Sequence, residues 1–203
     1  MAETNDWIAA ARQALTGATP GARPSSTGFR AVVFAPPDLP LEPHELCGAP
    51  AGAFYIIRIA GGLVPPAGGA GADGSVAASL EYALRIAGIG RIVILTHSEC
   101  GMLRGLLDED APNAGLMLEG EFLPRWSHQI APAIARAARA DITPEERRRF
   151  CAQELIRVSI ENLMTYPWVL DGAYSGRIRI DGWHIDGASG TLSCFDPAED
   201  RFD

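Results

Sequence analysis

Residues 91–102, RIVILTHSECGM, restrict the architecture more than any other segment of the chain. Ile92 to Thr96 form an unbroken apolar and β-branched run, the pattern of a strand buried on both faces and hence of a parallel sheet covered by helices. An imidazole, His97, and a thiol, Cys100, follow at its carboxyl end. A strand that ends in a turn opening a helix is where open α/β sheets place their chemistry. Ser98 reads as the N-cap of that helix, with Glu99 favourably charged in its first turn. Side chains leaving one turn at this spacing can close on a single zinc ion. Two ligands do not make a site, however, and the pair also reads as a buried histidine bonded to backbone beside a packed thiol.

The remaining chain supplies more strands and helices of the same kind. Residues 29–35 read as a first buried strand that Pro36 and Pro37 end abruptly, and residues 54–60 as a second. Asn5 or Asp6 caps a short helix over 7–15, a loop covers 16–28, and Pro43 starts one helical turn. Residues 61–74 are almost entirely Gly, Ala and Pro and read as a loop. Ser75 is expected to cap a helix that Gly88 stops. Another spans 121–140, with Trp126, Ile130, Ile134 and Ala138 inward and Pro132 as a kink or a join. Thr143 and Glu146 form a capping box for a helix reaching about Thr165, and residues 177–185 and 191–195 give the last two strands. The order predicts an α/β fold: a central parallel sheet of about four strands with a C-terminal antiparallel extension, flanked by helices. One domain is expected over 1–203, with 1–28 as a helical arm and loop and 29–203 as the core.

Composition narrows the function. A chain of 203 residues, 47% hydrophobic, is long enough to bury a full core. A net charge of −8 argues against nucleic acid or an anionic membrane surface as a partner. No apolar run approaches the roughly 20 residues that span a membrane, and the N-terminus lacks the basic start of an export signal. Four well-separated cysteines then suggest reduced thiols in a cytoplasmic setting.

The HSECG segment at 97–101 resembles the second metal-binding motif of the β-class carbonic anhydrases, zinc enzymes that interconvert carbon dioxide and bicarbonate. The resemblance runs in order from about Arg30 to about Asp196. FYIIRIAGG at 54–62 is similar to the family's strand ending in Arg-Asn-Ala-Gly, with Ile59 in place of Asn, and SLEYA at 79–83 to the helix before the motif. ENLMTYP at 161–167 and DGWHID at 181–186, followed by GTL at 190–192, resemble its C-terminal helix and final strands. The resemblance breaks at the first metal motif, Cys-x-Asp-Ser-Arg, whose Cys binds zinc and whose Asp and Arg form a catalytic pair. Counting back from Arg58 without a gap puts that motif on residues 36–40, PPDLP, where Asp38 alone survives. Proline has no donor for a metal, and Pro40 cannot replace a guanidinium that orients a carboxylate.

What the resemblance implies follows from that loss. Asp38 reads either as a turn residue after two prolines or as a third zinc ligand, since in some resting forms of the family this Asp coordinates the metal. Asp38, His97 and Cys100 would then leave one position open, the catalytic zinc pattern. The implied function is a zinc site degraded to weak or absent carbon dioxide hydration. The alternatives are a working zinc lyase or hydrolase on a small substrate, with Asp38 as its catalytic carboxylate, and a non-enzymatic partner or regulatory subunit. A homodimer is implied, through the N-terminal helix and a sheet edge. His44 and Cys47 offer a second His-x-x-Cys pair, though on a short helix whose family counterpart faces the core. Arg58 reads as a structural arginine, Cys151 and Cys194 as core residues, His128 and His184 as solvated or half-buried, and residues 147–149, RRR, as a solvated helix face.

Overall fold

Pro36 and Pro37 carry no backbone N–H, so the ladder of the first strand, β1 (Ala31–Ala35), stops where they begin. The computed structural model describes residues 8–10, 12–13, 28–69, 72–112, 114–138 and 142–203. After β1 come α1 (Pro43–Leu46), β2 (Phe54–Arg58), α2 (Gly74–Glu81), β3 (Arg91–His97) and α3 (Gly101–Leu107). They are followed by α4 (Leu123–Ala137), α5 (Pro144–Leu163), α6 (Pro167–Tyr174), β4 (Arg179–Ile185), β5 (Leu192–Asp196) and β6 (Arg201–Phe202). The six strands lie in the order β2-β1-β3-β4-β5-β6. β2, β1, β3 and β4 are mutually parallel, and β5 and β6 add antiparallel. The expected architecture is the one observed, with two additions: α6, which the sequence reading passed over between 165 and 177, and β6, too short to read from two residues.

Alternation along β1 and β3 sorts the core into two faces. Val32, Phe34, Ile92 and Ile94 pack with Val76 and Leu80 of α2 and Ile156 and Leu163 of α5. Ala31, Val33, Val93 and Leu95 face the other way, against Ile185 and the half-buried Leu39 and Leu46. Each fully buried side chain of this kind contributes roughly 1.5–3 kcal/mol, and between Arg91 at its edge and Thr96 the central strand β3 carries only apolar residues.

Several boundaries differ from the sequence reading, each for a local reason. Asp73, not Ser75, caps α2: its Oδ1 accepts from the N–H groups of Ser75 at 2.8 Å and Val76 at 3.2 Å, and takes the Ser75 hydroxyl as well. A carboxylate outcompetes a hydroxyl at the positive end of a helix. The same helix runs on as a π-helical turn, Tyr82–Ile86. α4 passes through Pro132 without a break. Pro132 lies on the exposed face with His128, where the ring and the carbonyl left by its missing N–H can turn to solvent rather than into the core. Ala138 lies past the helix end and is exposed, while Ala133 and Ala137 point inward. The Thr143 capping box forms as expected, with Glu146 Oε2 accepting from Thr143 N–H at 2.8 Å and Thr143 Oγ1 from Glu146 N–H at 3.2 Å.

The glycine-rich stretch begins as part of the core. Leu63 and Val64 are fully buried. Val64 N–H donates to Ser159 Oγ at 3.1 Å, and Asn162 Nδ2 donates to Val64 O at 2.8 Å. Tyr166 donates its hydroxyl to Pro65 O, so this segment is tied along the end of α5. Of the expected N-terminal helix, residues 8–10 and 12–13 are helical and exposed, and the rest of the arm lies outside the described residues.

Candidate metal centre

Three chain segments meet at the carboxyl ends of β1 and β3. His97 is the last residue of β3 and 3% exposed, and Cys100, 2% exposed, is the N-cap residue of α3. Asp38 sits in the turn after β1. Arg58 holds that turn: Nη1 donates to Pro36 O at 2.9 Å while Nη2 pairs with Glu42 at 2.6 Å, the backbone-satisfying role expected of it. A Cβ on Gly62, whose φ is +71°, would come within 3.2 Å of Pro36 Cδ, so only glycine lets the 60–62 turn approach so closely.

Asp38 is the hinge of the arrangement. Its Oδ2 accepts from Gly101 N–H at 2.6 Å, and its Oδ1 lies 3.3 Å from His97 Nε2. Gly101 matters through what it lacks, because a Cβ there would stand 3.2 Å from Asp38 Oδ2. Burial works against the charge on Asp38, but the Gly101 N–H and the neighbouring His97 together hold its carboxyl below the usual range. Cys100 goes the other way. Burial first, and the Asp38 charge second, push its thiol up to about 11, against the pull of the Leu103 and Met102 N–H groups. As a neutral thiol it packs with Leu63, Met102, Leu103 and Ile130.

One nitrogen, one sulfur and one carboxylate oxygen of Asp38, His97 and Cys100 thus lie within 4.8 Å of one another. Among the described residues no other group of three His, Cys, Asp or Glu side chains gathers in this way. The donor set fits zinc, which accepts N, S and O ligands and in catalytic sites keeps three protein ligands and one open position. A bound cation also supplies what burial withholds, since it favours the thiolate over the thiol. His44 and Cys47 do not join the group; Cys47 is exposed on the far end of α1. Nor does any arginine among the described residues pair with Asp38, whose side-chain neighbour is His97.

Other residues depart from the sequence reading. Ser98 is not a helix cap: its hydroxyl accepts from Gly187 N–H at 2.8 Å and its own N–H donates to Ile185 O. The turn is tied sideways to β4, and α3 starts two residues later. Cys151 is buried as expected, but Cys194 is exposed on β5. Arg148 is buried, not solvated; it stands on the α5 stripe with Cys151, Ala152 and Leu155, a spacing that was legible as a core face. His184 is also buried, at 1% exposure. Thr96 Oγ1 donates to Ala152 O at 3.0 Å, so its single proton is used and His184 Nδ1, 3.2 Å away, must donate to it. His184 Nε2 is left bare and buried.

The comparisons with known proteins agree with this geometry. A sequence model of the carbonic anhydrase family matches residues 32–192. A carbonic anhydrase of Pseudomonas aeruginosa is 32% identical over 179 residues, which are 85% of this chain and 76% of that protein. The β-class decides between the kinds of carbonic anhydrase: beta carbonic anhydrase 3 of Arabidopsis thaliana is 29% identical over 170 residues, 81% of this chain. The chain belongs to the β-class carbonic anhydrase family. It spans 64% of the Arabidopsis relative, less than two thirds of that protein's length. Tetrameric β-carbonic anhydrases of Sordaria macrospora share the fold with a TM-score of 0.71 at 20% identity, over 95% of this chain and 94% of theirs.

Proposed function

We propose that this β-class carbonic anhydrase family member holds zinc through Asp38, His97 and Cys100, and that it hydrates carbon dioxide slowly or not at all. The observation that carries the reading is the convergence of the three donors within 4.8 Å, with a proline where a further thiolate would stand. Bound zinc supplies Lewis acidity and brings the ionisation of a water it holds close to neutral pH. The protein's own residues set how far that chemistry goes. Asp38 is ionised at neutral pH; its Oδ2 accepts from Gly101 N–H, and its Oδ1 stands 3.3 Å from His97 Nε2. Among the described residues no arginine pairs with it, and Arg58 is committed to Pro36 O and Glu42. With three donors a position stays open, but a site that lacks a further thiolate would hold zinc more weakly, and Asp38 would have no arginine to orient it.

Elemental analysis of the native protein, with stopped-flow hydration after zinc loading, tests this. About one zinc per chain is expected, lost in Cys100→Ala, with hydration far below that of the Pseudomonas aeruginosa relative. A rate comparable to that relative's would overturn it. A second reading, a zinc lyase or hydrolase on another small substrate, draws on the same three-donor set with one open position. Turnover of such a substrate that Cys100→Ala abolishes would favour it. We also infer one domain, self-association as in the tetrameric relatives, and a cytoplasmic setting compatible with four free cysteines.

A further inference from the structure

We propose that Arg148 is a positioning residue for this centre, gripping the turn that carries His97 and Cys100 at one end and the close of the helix that Cys100 opens at the other. The inference rests on the zinc reading above. The buried Arg148 projects from α5 with its side chain 9% exposed. Nη1 donates to Asp108 Oδ2 at 2.5 Å, and Asp108 is the C-cap of α3. Nη2 lies 3.5 Å from Glu99 Oε1, and Glu99 stands in sequence between the two candidate ligands. The same nitrogen is 3.6 Å from Glu145, one turn earlier on α5.

The orphaned atoms tell how the guanidinium is used. Arg148 Nε and Asp108 Oδ1 are both buried without a partner. A side-on, two-point pairing with Asp108 would use such atoms, as arginine–carboxylate pairs commonly do. Arg148 instead divides its charge between α3 and the ligand turn. From the opposite side, Gly187 N–H holds Ser98 Oγ at 2.8 Å, and a Cβ on Gly187 would collide with Glu99 Cγ. The Glu99 side chain, 41% exposed, thus runs past the β4–β5 turn on one side and reaches Arg148 with its carboxylate. α3 has seven residues, too few to keep its place by helix propensity alone. A cation fixing both ends sets the position of Cys100 relative to His97.

The test uses three readouts that a merely stabilising ion pair would leave alone: zinc affinity by chelator competition, the visible spectrum of the cobalt(II) form, and amide hydrogen exchange of residues 99–102 in metal-free protein. Arg148→Met is expected to fold, to lose about 10-fold in zinc affinity, the low end of the loss for groups bonded directly to a metal ligand, and to shift the cobalt bands. Exchange at 99–102 should accelerate while that of β1 stays put, with partial rescue in Arg148→Lys. Wild-type affinity, spectrum and exchange in folded Arg148→Met would overturn the inference. Should Arg148→Met not fold, Glu99→Gln decides, since it removes only the arm to the ligand turn: faster exchange supports the inference and unchanged exchange refutes it. If the wild-type protein takes up no zinc, the zinc reading fails by itself, and exchange in the variants still decides whether Arg148 positions the turn.

Discussion

Acidification acts on this protein through His184. Burial, the largest influence, pushes its pKa down from 6.5 to about 4, with the charge of Asp186 opposing and His97 and Arg149 adding. Between these two values the unfolded chain binds a proton that the native state refuses, so stability falls as pH falls. The contribution is complete above about pH 6.5 and has been lost once pH passes below the native value. Going from about pH 7.5 to about pH 4.5, linkage gives a loss on the order of 2.5 kcal/mol from this one ring. The geometry supplies the cause: Nδ1 already donates to Thr96, and Nε2 sits where a proton would meet neither water nor an acceptor. Urea unfolding at a series of pH values, on the wild type and on His184→Leu, isolates the effect, because carboxylates that titrate in the same range are common to both. The two stability curves should converge toward acid pH by roughly the linkage amount. Parallel curves would refute the assignment of a bare, buried Nε2.

Other outcomes follow from single contacts. Asp73→Ala removes the carboxylate that accepts from Ser75 and Val76 and should lower stability by about 0.5–2 kcal/mol in chemical denaturation. Gly182→Ala puts a methyl into Ile156 Cγ2 across the β4–α5 contact, and overpacking of this kind should cost about 1–3 kcal/mol in the same assay. In the metal-free native protein, iodoacetamide near pH 8 should label the exposed Cys47 and Cys194 and spare Cys100 and Cys151, whose thiols burial pushes up to about 11 and about 12. Mass mapping of the labelled cysteines checks this; early modification of Cys100 would contradict the packing around the centre.

Patterns of local period were enough for the sheet and its helices. An unbroken run such as Ile92–Thr96 has one low-energy place, in a strand covered on both sides, and a Thr143/Glu146 pair has one geometry, a capping box. The pairing of His97 with Cys100 was legible for the same reason, since one turn carries both. Arg148 was legible too, by its spacing from Cys151, Ala152 and Leu155, but a run of three arginines masks the stripe that its middle member occupies. His184 carried the signal of strand alternation with Gly182 and went unread because a histidine is as common half-buried as buried.

The amino-acid order alone settled most of the strands and helices and their sequence, though not α6 or β6, and that Asp38, His97 and Cys100 were the side chains to watch. It could not settle where Asp38 would go, because residue 38 and residue 101 are joined by no local period. Their meeting depends on β1 and β3 pairing side by side and on Gly101 lacking a side chain. The same holds for Ser98 and Gly187, for Arg148 and Asp108, and for Thr96 and His184. Short-range preferences are set by neighbours along the backbone, whereas the partner of a polar group is set by whatever the packed sheet brings within about 3 Å of it.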